Sequence, residues 1–87
     1  MALTFDIVSA KGLDLHEERL DRVVVRRREE RFVPGSEFAI CSGHAPLLMQ
    51  TQPCEARLVR GEKVTVVECG AGVLEVLDNR VTLALTS

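Results

Sequence analysis

Short apolar segments separated by turn residues recur along the whole 87-residue chain. In residues 3–8, apolar and polar side chains alternate, which places Leu3, Phe5 and Ile7 on one face of a strand. Comparable segments, each containing aliphatic or aromatic side chains, are residues 20–26, 38–41, 55–59, 63–67, 73–77 and 81–85. The pattern predicts an all-β fold, a small β-sandwich or flattened barrel of about 8–10 short strands. No linker or repeat divides residues 1–87, so we expect one domain.

Turn residues predict how several strands are joined. Gly61 lies between residues 55–59 and 63–67, which indicates a hairpin. Asp78 and Asn79 suit a two-residue turn, because both residues tolerate the left-handed backbone conformation.

Residues 13–24 fit two structures. Asp14 followed by Glu17 resembles a helix capping box, and Leu13, Leu20, Val23 and Val24 would share one side of that helix. The β-branched run at residues 23–25 favours a strand instead. We therefore predict a turn or short strand at residues 15–18 and a strand over residues 20–26.

The composition excludes several functional classes. Aromatic residues make up 3% of the chain, which argues against a surface that stacks on bases or sugars. The net charge of −2 gives no overall field that would attract nucleic acid. No apolar run approaches the roughly 20 residues that span a bilayer, and no signal peptide is predicted. We expect membrane association only through a partner.

The three cysteines are Cys41, Cys54 and Cys69. They form no C-x-x-C pair, and an odd number cannot pair completely within one chain. We predict buried thiols in a reducing compartment. The chain has two histidines, His16 and His44, and we predict no metal or cofactor site.

Residues 36–48 read SEFAICSGHAPLL and predict a strand, a turn at Ser42-Gly43 and a second strand from Leu47. His44 follows Cys41 and Ser42, but closeness within a turn is weak support for catalysis, since catalytic groups are usually assembled by the fold. A structural His44, whose ring bonds backbone groups and fixes the turn, is the favoured interpretation. A contact between His44 and a partner protein stays open.

A charged run covers residues 26–31. Its cations are Arg26, Arg27, Arg28 and Arg31, and two glutamates offset part of their charge. We favour a solvated hairpin tip. A contact with an acidic or polar protein surface and binding to nucleic acid are the alternatives.

Residues 3–12 read LTFDIVSAKG, residues 42–48 read SGHAPLL and residues 71–76 read AGVLEV. In these motifs the chain resembles the N-terminal β-sandwich domain of the epsilon subunit of F-type ATP synthases (delta in mitochondria). The corresponding motifs of that family are L-x-I-V-[ST]-x-x-G, P-G-H-A-P-L-L and G-G-F-L-E-V. The resemblance covers nearly the whole chain in order. The family's C-terminal helical hairpin, its inhibitory element, is not expected within residues 1–87.

The resemblance implies a non-catalytic rotor subunit. In that family the domain binds the gamma subunit and rests on the ring of c subunits, at the cytoplasmic face of the inner membrane. The implied c-ring-facing loop comprises Ser36, Glu37, Phe38, Gly43 and His44. The charged run makes the chain longer than typical members between residues 25 and 36, and we expect Arg26, Arg27, Arg28 and Arg31 to contact gamma or the c ring.

A protein of another class remains as the alternative. It is a free-standing β-sandwich adaptor or regulator that binds a different anionic partner through the arginine run.

Overall fold

The computed structural model describes residues 2–27, 29, 31–32 and 34–86. Within these residues the chain forms nine β-strands. They are β1 (Leu3–Ser9), β2 (Gly12–Leu20), β3 (Arg22–Arg27), β4 (Ser36–Cys41), β5 (Leu47–Thr51), β6 (Cys54–Arg60), β7 (Lys63–Cys69), β8 (Gly72–Leu77) and β9 (Arg80–Leu85). Among the described residues, no helix is long and apolar enough to cross a bilayer.

The strands form two sheets packed face to face. One sheet has the order β2-β1-β9-β8-β5 and the other has the order β4-β3-β6-β7. Only β1 and β9 pair in parallel; the other pairs of described strands are antiparallel. The all-β prediction is confirmed, with one refinement. The two sheets make a sandwich and do not close into a barrel.

The core lies between the sheets and consists of alternate residues of the strands. Leu3 and Phe5 of β1 are 0% and 1% exposed, and Ile7 is also buried, as the alternation predicts. Ile40, Leu58, Leu74 and Val81 contribute from four other strands. Burying one such side chain stabilises a fold by roughly 1.5–3 kcal/mol, so this single layer accounts for most of the hydrophobic stabilisation.

In residues 13–24 the structure confirms the strand interpretation over the helical one. Residues 15–18, predicted as a turn or short strand, lie inside the longer strand β2, which pairs with β1. The strand predicted over residues 20–26 corresponds to β3 (Arg22–Arg27). The next strand begins at Arg22, because Asp21 turns the chain from one sheet into the other. Leu20 is buried at this corner. At Arg19 the backbone has a φ of 58°, next to a register shift in the pairing with β1.

The pairing defines two ends of the sandwich. The lower end carries the loop of residues 42–46, the hairpin turn at residues 78–79 and the corner at Asp21. The upper end carries the described residues that follow β3 (29, 31–32 and 34–35), together with residues 52–53 and 70–71. Strands β4 and β5 were predicted from one continuous stretch, and both are present. They lie in different sheets, so residues 42–46 cross from one sheet to the other at the lower end.

Candidate functional site

The crossing at the lower end begins with a tight turn. The His44 backbone N–H donates to the Cys41 carbonyl over 3.1 Å. Gly43 occupies the third position of this turn with a φ of +79°, in the left-handed region that favours glycine. Sequence analysis predicted this turn, and the hydrogen bond confirms it.

Asn79 fixes the position of that turn. Its side-chain Oδ1 accepts a 2.8 Å hydrogen bond from the Gly43 N–H, and its carbonyl accepts one from Thr4 N–H. Asp78 and Asn79 have φ values of 49° and 61°, which matches the predicted two-residue hairpin turn. The lower end is therefore a rigid surface made from three separate segments of the chain.

The His44 side chain is half-buried beside this turn. Its Nδ1 donates to the Ala45 carbonyl over 2.7 Å. This bond to the backbone is the contact expected of a structural histidine.

At the upper end, charged side chains form a row on the outer face of the four-stranded sheet. Arg26 lies directly opposite Glu37 on β4 and Glu55 on β6. The Glu55 carboxylate also accepts a 3.0 Å ion-pair bond from Arg57. Opposite charges facing each other across strands stabilise a sheet by roughly 0.2–1 kcal/mol per pair. The row presents both signs of charge.

Arg27 differs from Arg26 because adjacent residues of a strand face opposite sides. It lines the space between the sheets, and its guanidinium donates to the Pro34 carbonyl over 2.8 Å. Its Nε is buried without a hydrogen-bond partner among the described residues. Arg27 therefore holds the loop that follows β3, rather than extending into solvent.

The rest of the charged run is only partly described. Arg31 lies 5.1 Å from the centre of the Phe32 ring, in a cation–π contact, and Phe32 is 90% exposed. The prediction for Arg28 falls outside the described residues. Strands β3 and β4 pair as antiparallel neighbours around this run, so it does join a hairpin.

The implied c-ring-facing residues form two groups. Ser36, Glu37 and Phe38 begin β4 at the upper end, whereas Gly43 and His44 follow its last residue at the lower end. A strand rises roughly 3.3 Å per residue, so the length of β4 separates the groups by about 15–20 Å. Glu37 is exposed, and Phe38 packs against the core. The structure does not bring the five residues together.

An apolar surface that the sequence analysis missed lies on the outer face of β5 and β8. Leu48 is 70% exposed and Leu77 is 46% exposed. Leu48 lies opposite Glu75, which makes Val73 and Leu77 its diagonal neighbours. Pro46 adds to a shallow groove at the lower margin. We call Pro46, Leu48, Val73 and Leu77 the β5–β8 patch. Consecutive leucines in a strand were the signal, since Leu47 and Leu48 cannot both face the core.

A charged cluster occupies the outer face of β1 and β2. His16 Nδ1 bonds the Asp6 carboxylate, and its Nε2 lies 2.9 Å from Glu18 Oε1. The hydrogen bonds to Glu18 and then to Asp6 raise the pKa of His16. The same contact with His16 lowers the pKa of Glu18. Both shifts favour the charged pair.

This cluster predicts a pH dependence of stability that belongs to His16. The pKa of His16 is higher in the folded protein than in the unfolded chain, so protonated His16 stabilises the fold. This stabilisation is complete at pH values below the pKa of the unfolded chain, and it is lost as pH rises through the pKa of the folded protein. The lowered pKa of Glu18 keeps its carboxylate ionised at mildly acidic pH, so the contact is lost on the acid side only as pH falls through that lowered value. We expect the urea midpoint of the protein to decline between mildly acidic and mildly alkaline pH. His16→Gln should lack that decline, and parallel pH profiles for the two proteins would contradict the assignment.

Cysteine placement departs from prediction at one position. Cys54 and Cys69 are buried free thiols, as expected, but Cys41 is exposed at the end of β4. Within the described part of the chain, no group of three or more His, Cys, Asp or Glu residues is arranged to hold a metal ion.

The fold and the geometry of the site define the class of this protein. It is a small two-sheet β-sandwich whose charged clusters and apolar patch lie on its outer faces. No model of a known protein family matches the chain. The chain is 33% identical over 91 aligned positions to the ATP synthase epsilon chain of Acidithiobacillus ferridurans. That alignment covers 100% of this chain and 58% of the relative, so the chain spans less than two thirds of the relative's length. The predicted resemblance to the ATP synthase epsilon family is thus confirmed.

Proposed function

We propose that this chain is a non-catalytic subunit of an F-type ATP synthase. It would lie in the rotating central stalk, where it links the gamma subunit to the ring of c subunits during ion-driven ATP synthesis. The observation that carries the proposal is similarity to an epsilon chain along the whole length of this chain, combined with the sandwich fold. Its place would be peripheral, at the cytoplasmic face of the inner membrane.

Transmission of torque needs a stiff body with two contact surfaces. The paired sheets and the Asn79 hydrogen bonds at the lower end support the stiffness. The charged row at the upper end and the β5–β8 patch supply two surfaces of different chemistry. We assign the upper end, with Ser36 and Glu37, to the polar loops of the c ring. A carboxylate such as Glu37, exposed on a strand edge, suits basic or amide groups there.

We assign the β5–β8 patch to the gamma subunit. An exposed apolar surface is the part of a small domain that gains most from association. The patch adjoins the loop of Gly43 and His44, so these two residues would border the same interface. The five residues implied by the resemblance then serve two partners.

Co-purification tests the proposal directly. The tagged chain, expressed together with a gamma subunit and a c ring, should retain both on an affinity column. If the folded chain retains neither subunit, the proposal is wrong.

The alternative of a free-standing adaptor that binds an anionic partner through the arginine run has less support, because Arg27 faces inward and Arg26 lies between two glutamates.

The arginines at the upper end give a sharper test. Arg26→Ser combined with Arg31→Ser removes two exposed cations while sparing Arg27, which holds the loop. We expect about tenfold weaker binding to the c-ring–gamma assembly at low salt, because each exposed charge contributes roughly 0.2–1 kcal/mol. The loss should shrink as salt rises, since screening acts on exposed charges.

Arg22→Ser is the matched control, because Arg22 is an exposed arginine that begins β3 at the lower end, in the sheet opposite the β5–β8 patch. It should leave binding unchanged. Equal losses for the double variant and the control would mean that general charge, and not the upper end, governs assembly.

A further inference from the structure

Two of the thiols lie side by side in the core. Cys54, the first residue of β6, is directly opposite Cys69, the last residue of β7. They are 7% and 6% exposed, and their thiols interact closely enough that each shifts the pKa of the other. Cys69 also donates to the Val67 carbonyl over 3.6 Å. The sequence analysis treated these cysteines as separate buried thiols, and the proposed function makes no use of them.

The backbone already has the spacing that a disulfide needs. Directly opposed residues of antiparallel strands have Cα atoms about 4.5–5.5 Å apart. Disulfides join cysteines whose Cα atoms are about 4.4–6.8 Å apart. Oxidation of this pair therefore requires rotation of two side chains and no rearrangement of the strands.

A small oxidant has a route to Cys54. A cavity of about 90 Å³ opens between β3–β4 and β5 at the upper end, and Cys54 is among its lining residues, with Phe38, Met49 and Thr51. Cys69 does not line this cavity. The two thiols are thus unequal, with Cys54 the accessible one and Cys69 behind it.

Their interaction makes the thiols unequal in acidity as well. The neighbouring Cys69 lowers the pKa of the Cys54 thiol below its ordinary value. The neighbouring Cys54, together with burial, raises the pKa of the Cys69 thiol. A thiolate, and not a thiol, is the nucleophile towards peroxide. Cys54 is therefore both the more accessible and the more acidic of the two thiols, so it is the one expected to react with peroxide first.

We propose that Cys54 and Cys69 are a peroxide-sensitive pair that forms a reversible disulfide across the β6–β7 hairpin. The Cys54 thiolate attacks hydrogen peroxide, the O–O bond breaks, and Cys54 sulfenic acid and hydroxide form. The Cys69 sulfur then attacks the Cys54 sulfur. An S–S bond replaces the S–O bond, and the Cys69 proton leaves with the hydroxyl group as water. Two thiols are oxidised and one peroxide is reduced to water.

The bond would fasten an exposed edge of the protein. Strand β7 is the edge of the four-stranded sheet, and Cys69 is its last residue before the chain crosses to β8. A covalent link at this point restricts opening of the hairpin and of the crossing at residues 70–71. This inference stands independently of the proposed ATP synthase role.

Peroxide titration of the 87-residue chain carrying Cys41→Ser tests the proposal. The substitution removes the exposed thiol, so that Cys54 and Cys69 are the thiols left to react. After treatment with hydrogen peroxide, we expect titratable thiols to fall from two to none and the mass to fall by two hydrogen atoms. The thermal midpoint should rise by roughly 10 °C, because a link of this loop length constrains the unfolded chain. Dithiothreitol should reverse all three changes.

A second variant separates the two roles. With Cys41→Ser and Cys69→Ala together, Cys54 lacks its partner, so peroxide should add oxygen atoms to Cys54 and form no intramolecular bond. If the chain with the intact pair instead keeps both thiols, or gains oxygen without losing hydrogen, the proposal is overturned. A disulfide between two copies of the chain would overturn it equally.

Discussion

Replacing Gly72 with alanine is expected to destabilise the protein by about 3 kcal/mol or more. Gly72 begins β8, is buried, and pairs with Leu85 of β9. A Cβ atom at this position would lie 2.3 Å from the Ala84 carbonyl oxygen and 3.0 Å from its carbon. Both atoms belong to the backbone, so no side-chain rotation relieves the contact. Strands β8 and β9 must separate locally.

Displacement of the Gly72 backbone would also weaken the pairing of β5 with β8, because the Thr51 hydroxyl donates a 3.2 Å hydrogen bond to the Gly72 carbonyl. A domain of this size has a total stability of roughly 4–13 kcal/mol, so the loss removes a large share of it. Urea denaturation followed by circular dichroism should show a clearly lower midpoint for Gly72→Ala.

Gly70→Ala is the matched control. Two residues earlier, an added Cβ would meet only the Leu85 side chain, at 3.8 Å, which is an ordinary van der Waals distance. We expect its midpoint to stay within about 0.5 kcal/mol of the unsubstituted protein, as for most surface changes. Equal destabilisation at both positions would show that flexibility of the 70–72 bend, and not close packing, makes glycine necessary.

Strand positions were predictable wherever one face of a strand is buried and the other is not. In β1 the alternation of Leu3, Phe5 and Ile7 with polar residues fixes both the strand and its inner face. The hairpin turns were predictable for a local reason, since Asp78 and Asn79 accept positive φ values.

What was not predictable depended on contacts between distant residues. For residues 15–18 a turn or short strand was preferred over a helix, but the full length of strand β2 follows from its pairing with β1. Turn signals in residues 42–46 indicate a reversal, but they do not tell whether the chain stays in its sheet. Here it crosses to the other sheet. The length of β4 separates Glu37 from His44, which the family resemblance had grouped in one loop.

Side chains alternate between the two faces of a strand, so Arg26 and Arg27 would have been predicted to face opposite sides if both had been assigned to the strand. The predicted strand ended at Arg26, whereas β3 continues to Arg27. The exposed Leu48 was missed because hydrophobic residues are expected inside, and only the pairing with Glu75 identifies its outward face.

The β5–β8 patch yields the prediction that most directly tests the proposed gamma contact. Leu48→Lys should weaken binding of the chain to a gamma subunit at least about 30-fold. An apolar residue at the centre of an interface contributes roughly 2 kcal/mol or more, and each 1.4 kcal/mol is a factor of about ten in affinity. Lysine avoids repulsion from the facing Glu75. Since Leu48 is 70% exposed, the fold should tolerate the change.

Val64→Lys is the control that makes this result specific. Val64 is also an exposed apolar strand residue, 52% exposed, but it lies on β7 of the other sheet. Binding to gamma, measured by titration calorimetry, should be retained by Val64→Lys and lost by Leu48→Lys, with equal urea midpoints for both variants. The reverse pattern would move the gamma contact to the four-stranded sheet. That result would leave the family resemblance intact, because the resemblance rests on sequence similarity and fold and not on the choice of face.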